Sequence, residues 1–322
     1  MSRPSLTTGW WLTNWGKQNE MSYPPLFGII PPLVTPLTAQ LSFDRHALER
    51  IIEHVIAGGV NGIFLLGSTG EGPALTDGIR KQVVQEGVKS VSGRVPLFIN
   101  ISAASFLETK AMLAFAAGEG VDYVVLSPPF YYEMNQQELL HYYISVADHS
   151  PLPLLVYNAP QYTKTVIDPE LIGAFVKHQN IIGIKDSSGS FSYIQDLLQA
   201  RGEKHFPILI GPEMLLGESI LLGCEGGVCG GANLYPALYV NYCRALVSNN
   251  EDDMERFAKV IRKIQTKLYD VADSPMGIVI GLKYLLAFRG LCSEQMAIPV
   301  YETLTREQKN SMESLDKEIR LI

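Results

Sequence analysis

The sequence predicts a closed (β/α)8 barrel with a C-terminal helical extension. Apolar, strand-length runs alternate with amphipathic helical stretches, and the alternation yields eight strands. The units are near-equal in length, which favours closure over the open doubly wound sheet that is the structural alternative. Beyond Asn233 no strand signal returns and only helical periodicity remains.

The strand and helix pairs fall at 28–34 and 44–57, 62–66 and 76–91, 96–101 and 105–119, and 123–126 and 135–149. They continue at 153–157 and 168–177, 181–185 and 191–199, 208–210 and 213–222, with the eighth strand at 226–230. Helix starts carry acceptors where free N–H groups need them, as at Asp44, Thr76 and Asp168-Pro169. Helices follow at 236–247, 252–269, 275–288 and 305–320. Their many apolar positions need a surface to cover, so they read as an appendage of the barrel rather than a separate domain. The expected organisation is therefore an N-terminal tail at 1–25, a barrel core at 26–235, and the last barrel helix with C-terminal helices at 236–322. The tail holds all the tryptophans, Trp10, Trp11 and Trp15, and lacks the apolar core and cleavage site of a signal peptide. A disordered tail, an arm on an oligomer, and upstream sequence before a start at Met21 all fit it, and poor order is the expectation.

Composition bounds the function. The chain has 322 residues, 47% hydrophobic and 18% charged, with a formal net charge of −7. That is ordinary for a globular protein. The absence of a basic run or stripe argues against nucleic acid and anionic membrane as partners. The longest apolar runs are strand-length, too short for a membrane span. Cys224, Cys229, Cys243 and Cys292 form no CxxC pair and no regular framework, so they read as buried thiols of a reducing, cytoplasmic compartment.

The run Ile-Ile-Gly-Ile before Lys185 reads as a fully buried strand. Lys185 then stands at the carboxyl end of the sixth strand, where such barrels build their active sites. A surface lysine is the ordinary reading. An amine in a partly apolar pocket, however, loses proton affinity and attacks a carbonyl to form a Schiff base.

Other strand ends supply candidates around it. Gly67-Ser68-Thr69-Gly70-Glu71-Gly72 follows the second strand and fits both a plain tight turn and an anion cradle. It is not GxGxxG, and no phosphate-loop motif occurs, so nucleotide binding lacks support. Tyr131 lies in the Ser127–Tyr132 stretch after the fourth strand, and Tyr157 ends the fifth. Tyrosines there serve either as packing residues or as proton shuttles. Gly211-Pro212-Glu213 would present Glu213 to the pocket, and Gly230-Gly231 would leave room for a ligand. His46, His54, His141, His149, His178 and His205 lie in helices or before strands, none beside a carboxylate at a strand end. No catalytic metal is expected.

GSTGEG at Gly67–Gly72, YNAP at Tyr157–Pro160 and GIKDSSG at Gly183–Gly189, in that order, resemble the dihydrodipicolinate synthase / N-acetylneuraminate lyase family of Schiff-base (β/α)8 enzymes. The resemblance runs from about Phe27 to the C-terminus. It implies that Lys185 condenses with pyruvate or another 2-oxo acid and that Tyr157 relays protons, with no cofactor. It implies that Ser68 links the tyrosines, that Thr69 with Gly67 and its backbone holds the carboxylate, and that Gly211 and Gly230 let backbone approach the substrate. It further implies that Tyr131 is lent to a neighbouring subunit, in a homotetramer built as a dimer of dimers.

Departures narrow the substrate. Tyr162 stands where dihydrodipicolinate synthases carry the arginine that grips the second substrate's carboxylate, and a phenol makes no bidentate charged contact. Lys164 offers a substitute charge two residues on, although a solvated loop lysine is the plainer reading. Pro212-Glu213-Met214 replaces the Asp-Glu pair that sialic acid lyases use for a polyol tail. Ser187 matches the hydroxyl of aldolase-type members, and Gly226–Cys229 with VADHSPLPLLVYNAP is similar to 4-hydroxy-2-oxoglutarate aldolases. The expected activity is a lyase or aldolase yielding pyruvate and an aldehyde from a 4-hydroxy-2-oxo or 2-keto-3-deoxy sugar acid, or the reverse. Dihydrodipicolinate synthase, N-acetylneuraminate lyase or a dehydratase are the alternatives on the same site, and a non-catalytic binding barrel is the alternative of another class.

Overall fold

The computed structural model describes residues 26–299 and 304–321. The expected tail, 1–25, lies outside them. Eight parallel strands form one curled sheet in the order β1-β8-β7-β6-β5-β4-β3-β2. They are β1 (Gly28–Ile29), β2 (Ile63–Leu65), β3 (Leu97–Asn100), β4 (Tyr123–Leu126), β5 (Leu154–Asn158), β6 (Ile181–Asp186), β7 (Ile208–Ile210) and β8 (Gly226–Gly227). Main-chain bonds close the cylinder between β1 and β2: Asn61 N–H donates to Ile29 O, Phe64 N–H to Pro31 O, and Leu33 N–H to Phe64 O.

The first strand is shorter than its apolar run. Pro31 and Pro32 have no N–H to give a ladder, so the pairing of β1 with β8 stops at Ile29, and a single bridge between Pro32 and Phe64 joins this segment to β2. Close approach replaces side chains where β1 meets β8. A Cβ on Gly226 would lie 2.0 Å from Gly28 O.

Each strand alternates between two cores, as the pleat requires. Ile30, Phe64, Phe98, Tyr123, Val125, Leu155, Tyr157, Leu209 and Val228 fill the cylinder. Phe98 and Tyr123 stack there with centroids 4.7 Å apart. Their strand neighbours, such as Ile63, Val124, Val156, Ile184 and Ile210, face outward to the helices. These are α1 (Arg45–Ala57), α2 (Asp77–Val91), α3 (Phe106–Glu119), α4 (Gln136–His149), α5 (Ile172–Phe175), α6 (Phe191–Arg201) and α7 (Leu216–Leu222). Asp44 caps α1, Thr76 caps α2, and Asn135 with Glu138 forms a capping box on α4. The expected helix at 168–177 is a 3-10 turn, Pro169–Leu171, running into α5.

The C-terminal helices are α8 (Pro236–Ser248), α9 (Glu251–Ile264), α10 (Gly277–Phe288) and α11 (Arg306–Ile319). The single helix expected at 252–269 ends in a π-turn, Gln265–Tyr269. Glycines on α10 receive that turn: a Cβ on Gly277 would meet Tyr269 O at 2.3 Å, and one on Gly281 would meet Leu268 O at 2.1 Å. Arg289 donates to Leu234 O and to Asp316, whose carboxylate also accepts from Tyr235, so α11 is tied to the barrel rim.

Asn233 is the joint between the two ends of the barrel. Its Oδ1 accepts from Val34 N–H at 3.1 Å, and its Nδ2 donates to Pro32 O at 2.9 Å and Gly230 O at 2.8 Å. Replacing it with alanine strands three buried backbone groups. Asn233→Ala should lower unfolding free energy by about 2–4 kcal/mol, read from the urea midpoint at unchanged slope. A midpoint equal to the wild type's would show that water replaces the amide without cost.

Candidate active site

Lys185 and Tyr157 point to the barrel axis together because of one irregularity. The β5–β6 ladder pairs Leu154 with Ile181 but Leu155 with Gly183, so an extra residue enters β6 at that point. A Cβ on Gly183 would lie 2.6 Å from Pro207 O, so the bulge needs glycine. Past it, Ile184 faces the helices, while Lys185 pairs with Tyr157 on one side and Leu209 on the other, both lining the cylinder. A regular strand would have turned Lys185 outward.

The amine lies in aromatic surroundings. Its Nζ is 4.2 Å from the Tyr157 ring centroid and 5.0 Å from that of Phe64. Lys185 is 4% exposed. Burial pushes its pKa down to about 7, against the electrostatic pull of Cys229 and Asp186. The Tyr157 hydroxyl is 3.3 Å from Ser68 Oγ. Burial pushes that phenol up, and hydrogen bonds from Ser68 and Ser187 oppose the rise. Next to Lys185, Asp186 turns outward and is held by Asn158 Nδ2 at 2.8 Å and Ser188 Oγ at 2.8 Å. Asn158 in turn accepts from Ile167 N–H, so the ends of β5 and β6 are braced from the helix side.

Ser68 and Thr69 are half-buried on a loop strained at both ends. Leu66 and Glu71 have φ of +61° and +54°, the left-handed region that costs non-glycine residues energy. Asn100 Nδ2 donates to Leu66 O at 3.0 Å and Thr35 Oγ1 to Gly70 O at 2.6 Å, which hold that shape. Gly67 lets Phe64 stack beneath the loop, since a Cβ there would lie 2.6 Å from the ring.

Lys185, Tyr157, Ser68 and Ser187 thus come together. Gly211 abuts them: its N–H donates to Asp186 O at 2.7 Å, and a Cβ on it would lie 2.1 Å from Ser187 Oγ. Tyr162 lies 42% exposed on the turn Pro160–Thr163, and burial of its phenol, with Tyr157 beside it, pushes its pKa up. Lys164 Nζ turns back to Gln161 O at 3.1 Å. Tyr131 is 75% exposed, edge-on to Tyr132 and outside this group within one chain. The room expected at Gly230 is taken by Ile278, whose Cδ1 would lie 2.9 Å from a Cβ there. Glu213 borders a cleft, but its oxygens accept from Tyr269 OH, Gly231 N–H and Tyr239 OH. Sequence reasoning missed these partners because they come from the π-turn and α8, far along the chain. Among the described residues no His, Cys, Asp and Glu cluster is arranged to hold a metal, and no helix is long and apolar enough to cross a membrane.

The sequence profile of the dihydrodipicolinate synthetase family matches residues 25–319. The chain belongs to this family. A dihydrodipicolinate synthase of Bacteroides thetaiotaomicron superposes with a TM-score of 0.87 at 36% identity, over 91% of this chain and 99% of its own. YagE, a prophage protein of Escherichia coli K12 solved in complex with pyruvate, gives 0.85 at 28% identity, over 92% and 99%. A 4-hydroxy-tetrahydrodipicolinate synthase of Xylella fastidiosa is 34% identical over 68% of this chain and 72% of its own. Family members are Schiff-base lyases of the aldolase type, and the barrel here brings Lys185, Tyr157 and Ser68 into one group.

The amine's low proton affinity has a pH signature. Its neutral form predominates above about pH 7, so pyruvate imine formation should rise through about pH 7 and level off, as borohydride trapping at graded pH will show. A rise that continues to pH 9–10 would mean an ordinary solvated lysine. The folded pKa lies below the unfolded one, so the folded state binds fewer protons between them and stability climbs with pH across that interval. Lys185→Met should therefore raise Tm at pH 7 while abolishing the adduct.

Proposed function

We propose that this protein is a class I aldolase in which Lys185 forms a Schiff base with pyruvate or the pyruvyl end of a longer 2-oxo acid. The observation that carries the reading is the weakly basic Lys185 amine beside the Tyr157–Ser68 hydroxyl pair. The Nζ lone pair adds to C2 of the oxo acid, and Tyr157 donates the proton that lets water leave. The resulting iminium draws electrons from the C3–C4 bond as Tyr157 takes the proton of the C4 hydroxyl. The aldehyde departs, the enamine is protonated at C3, and water releases pyruvate and the lysine. Thr69 and the Gly67–Gly70 backbone anchor the carboxylate, which places C2 beside Nζ and makes the attack effectively unimolecular. The chemistry needs no cofactor.

The aldehyde end has a candidate place. A cleft of about 300 Å³ opens beside Gly211 and Glu213 and is lined by Gln265, Tyr269, Asp270, Ser274 and Ile278 among others. It contains acids and hydroxyls but no lysine or arginine. With Tyr162 at the turn, this supports a hydroxylated, uncharged tail, as in a 2-keto-3-deoxy sugar acid, over a second carboxylate. Condensation of pyruvate with aspartate semialdehyde is the second reading, favoured by the names of the Bacteroides and Xylella relatives. Exposed Tyr131 and Tyr132 supply a surface through which a second copy would complete the site, in a cytoplasmic dimer of dimers.

Pyruvate release from a panel of 2-oxo acids separates the readings. We expect release from 2-keto-3-deoxy sugar acids exceeding that from 4-hydroxy-2-oxoglutarate. Tyr157→Phe should lower kcat by about 10²–10⁴-fold. Robust condensation with aspartate semialdehyde, without cleavage of any panel member, would establish the synthase instead. Mixing Tyr131→Phe and Lys185→Ala subunits should restore part of the activity if sites are shared; none after verified subunit exchange would assign each site to one chain.

A further inference from the structure

We propose that Glu71 and Lys283 form a buried latch through which the segment after α10 holds the 67–72 loop in its substrate-binding shape. The inference rests on the Lys185 chemistry above, because that chemistry gives Ser68 and Thr69 their work.

Glu71 is the last residue of the loop before Gly72. Its N–H donates to Ser68 O at 3.0 Å, so its main chain sets the turn that carries both hydroxyls. Its carboxylate faces away from the solvent and is 0% exposed. One oxygen accepts from Lys283 Nζ; the other accepts from Ala297 N–H at 2.7 Å and Ile298 N–H at 3.1 Å. Lys283, 1% exposed on α10, also donates to Gln295 O at 2.6 Å. The strained loop is thus fastened to main chain more than two hundred residues away by its own carboxylate.

Stability is a poor explanation for such a pair. Taking two charges out of water costs about what their attraction returns, and an apolar pair of equal volume usually serves as well. Burial holds the Lys283 amine below its ordinary value even against the Glu71 charge. A charged pair does supply fixed direction: Glu71 accepts from three donors at once, and they fix where its backbone lies. Relaxing them leaves the loop free to leave its left-handed turn, which moves Thr69 from the carboxylate and Ser68 from Tyr157. Glu71 bonds to Lys283, Ala297 and Ile298, while Lys185 Nζ lies over the rings of Tyr157 and Phe64. Glu71 and Lys283 are therefore positioning residues, and the last third of the chain becomes part of substrate binding.

The test measures pyruvate adduct formation on Lys185, trapped by borohydride, against pyruvate concentration. Glu71→Gln/Lys283→Met keeps both shapes and an acceptor for the two amides but removes the charges. Its Tm should stay near the wild type's and exceed that of Glu71→Gln alone, which leaves an unpaired ammonium. Half-saturating pyruvate should rise by about tenfold with the limiting rate changed less than about threefold, the pattern of lost binding. The pH midpoint of trapping should not move. Ala297→Pro removes one donor without touching the buried charges and should raise half-saturation in the same direction. Wild-type half-saturation in a folded double variant, or in Ala297→Pro should the double variant not fold, overturns the latch. A wild-type protein that traps no pyruvate overturns the Lys185 reading instead, and the latch falls with it.

Discussion

A primary amine surrounded by aromatic carbon loses its hydration, and the rest of the site is arranged around that loss at Lys185. The rings of Phe64 and Tyr157 are the surroundings, and both belong to the interior layer of the cylinder. Their positions follow from strand pairing, so the low proton affinity of the amine is a property of the barrel rather than of a neighbouring charge. The electrostatics of Asp186 and Cys229 act the other way and are outweighed. A mobile loop lysine could not be desolvated so fully. A strand end, held by two neighbours, can.

Much of this was legible in the sequence, for physical reasons. Eight apolar runs at regular spacing leave few folds open, and a lysine at the end of a wholly apolar run is conspicuous because burial of its charge is costly. Tyr157 was readable as a strand-end hydroxyl, while the 67–72 loop read as a tight turn or an anion cradle and the Ser68 hydroxyl was singled out only by the family resemblance. What was not legible depends on contacts that spacing does not encode. The bulge at Gly183 decides which way Lys185 faces, yet in sequence Gly183 is only one small residue in a strand. Glu213 read as a pocket group because Gly211 precedes it, but Tyr239 and Tyr269 take up its oxygens. The run at 252–269 has unbroken helical character, and the π-turn arises from packing against Gly277 and Gly281.

Two carboxylates, Glu71 and Glu213, share a design. Each follows a barrel strand, each is almost wholly buried, and each takes hydrogen bonds from the chain beyond the strands: Glu71 from Lys283, Ala297 and Ile298, and Glu213 from Tyr239 and Tyr269 as well as Gly231. Without the C-terminal extension the Glu71 carboxylate would lose Lys283, Ala297 and Ile298, whereas Glu213 would keep Gly231 N–H from the barrel. The C-terminal extension is thus an outer wall that satisfies acids planted at the rim, and its π-turn also lines the cleft beside Gly211.

The prolines in the first strand have a mechanical consequence. Pro31 and Pro32 thin the main-chain bonding between β1 and β2, where a single bridge and a few loop bonds join the cylinder's edges. In the strand order, β5 and β6 lie diametrically opposite that seam. Tyr157 and Lys185 are therefore mounted on the pair of strands with the longest ladder, although that ladder carries the bulge at Gly183. Ser68 and Thr69 follow β2, at the seam itself. Local opening of a protein begins where least bonding must be broken. Local opening at this seam would therefore reach Ser68 and Thr69 before it reaches Tyr157 and Lys185 on the far side of the cylinder.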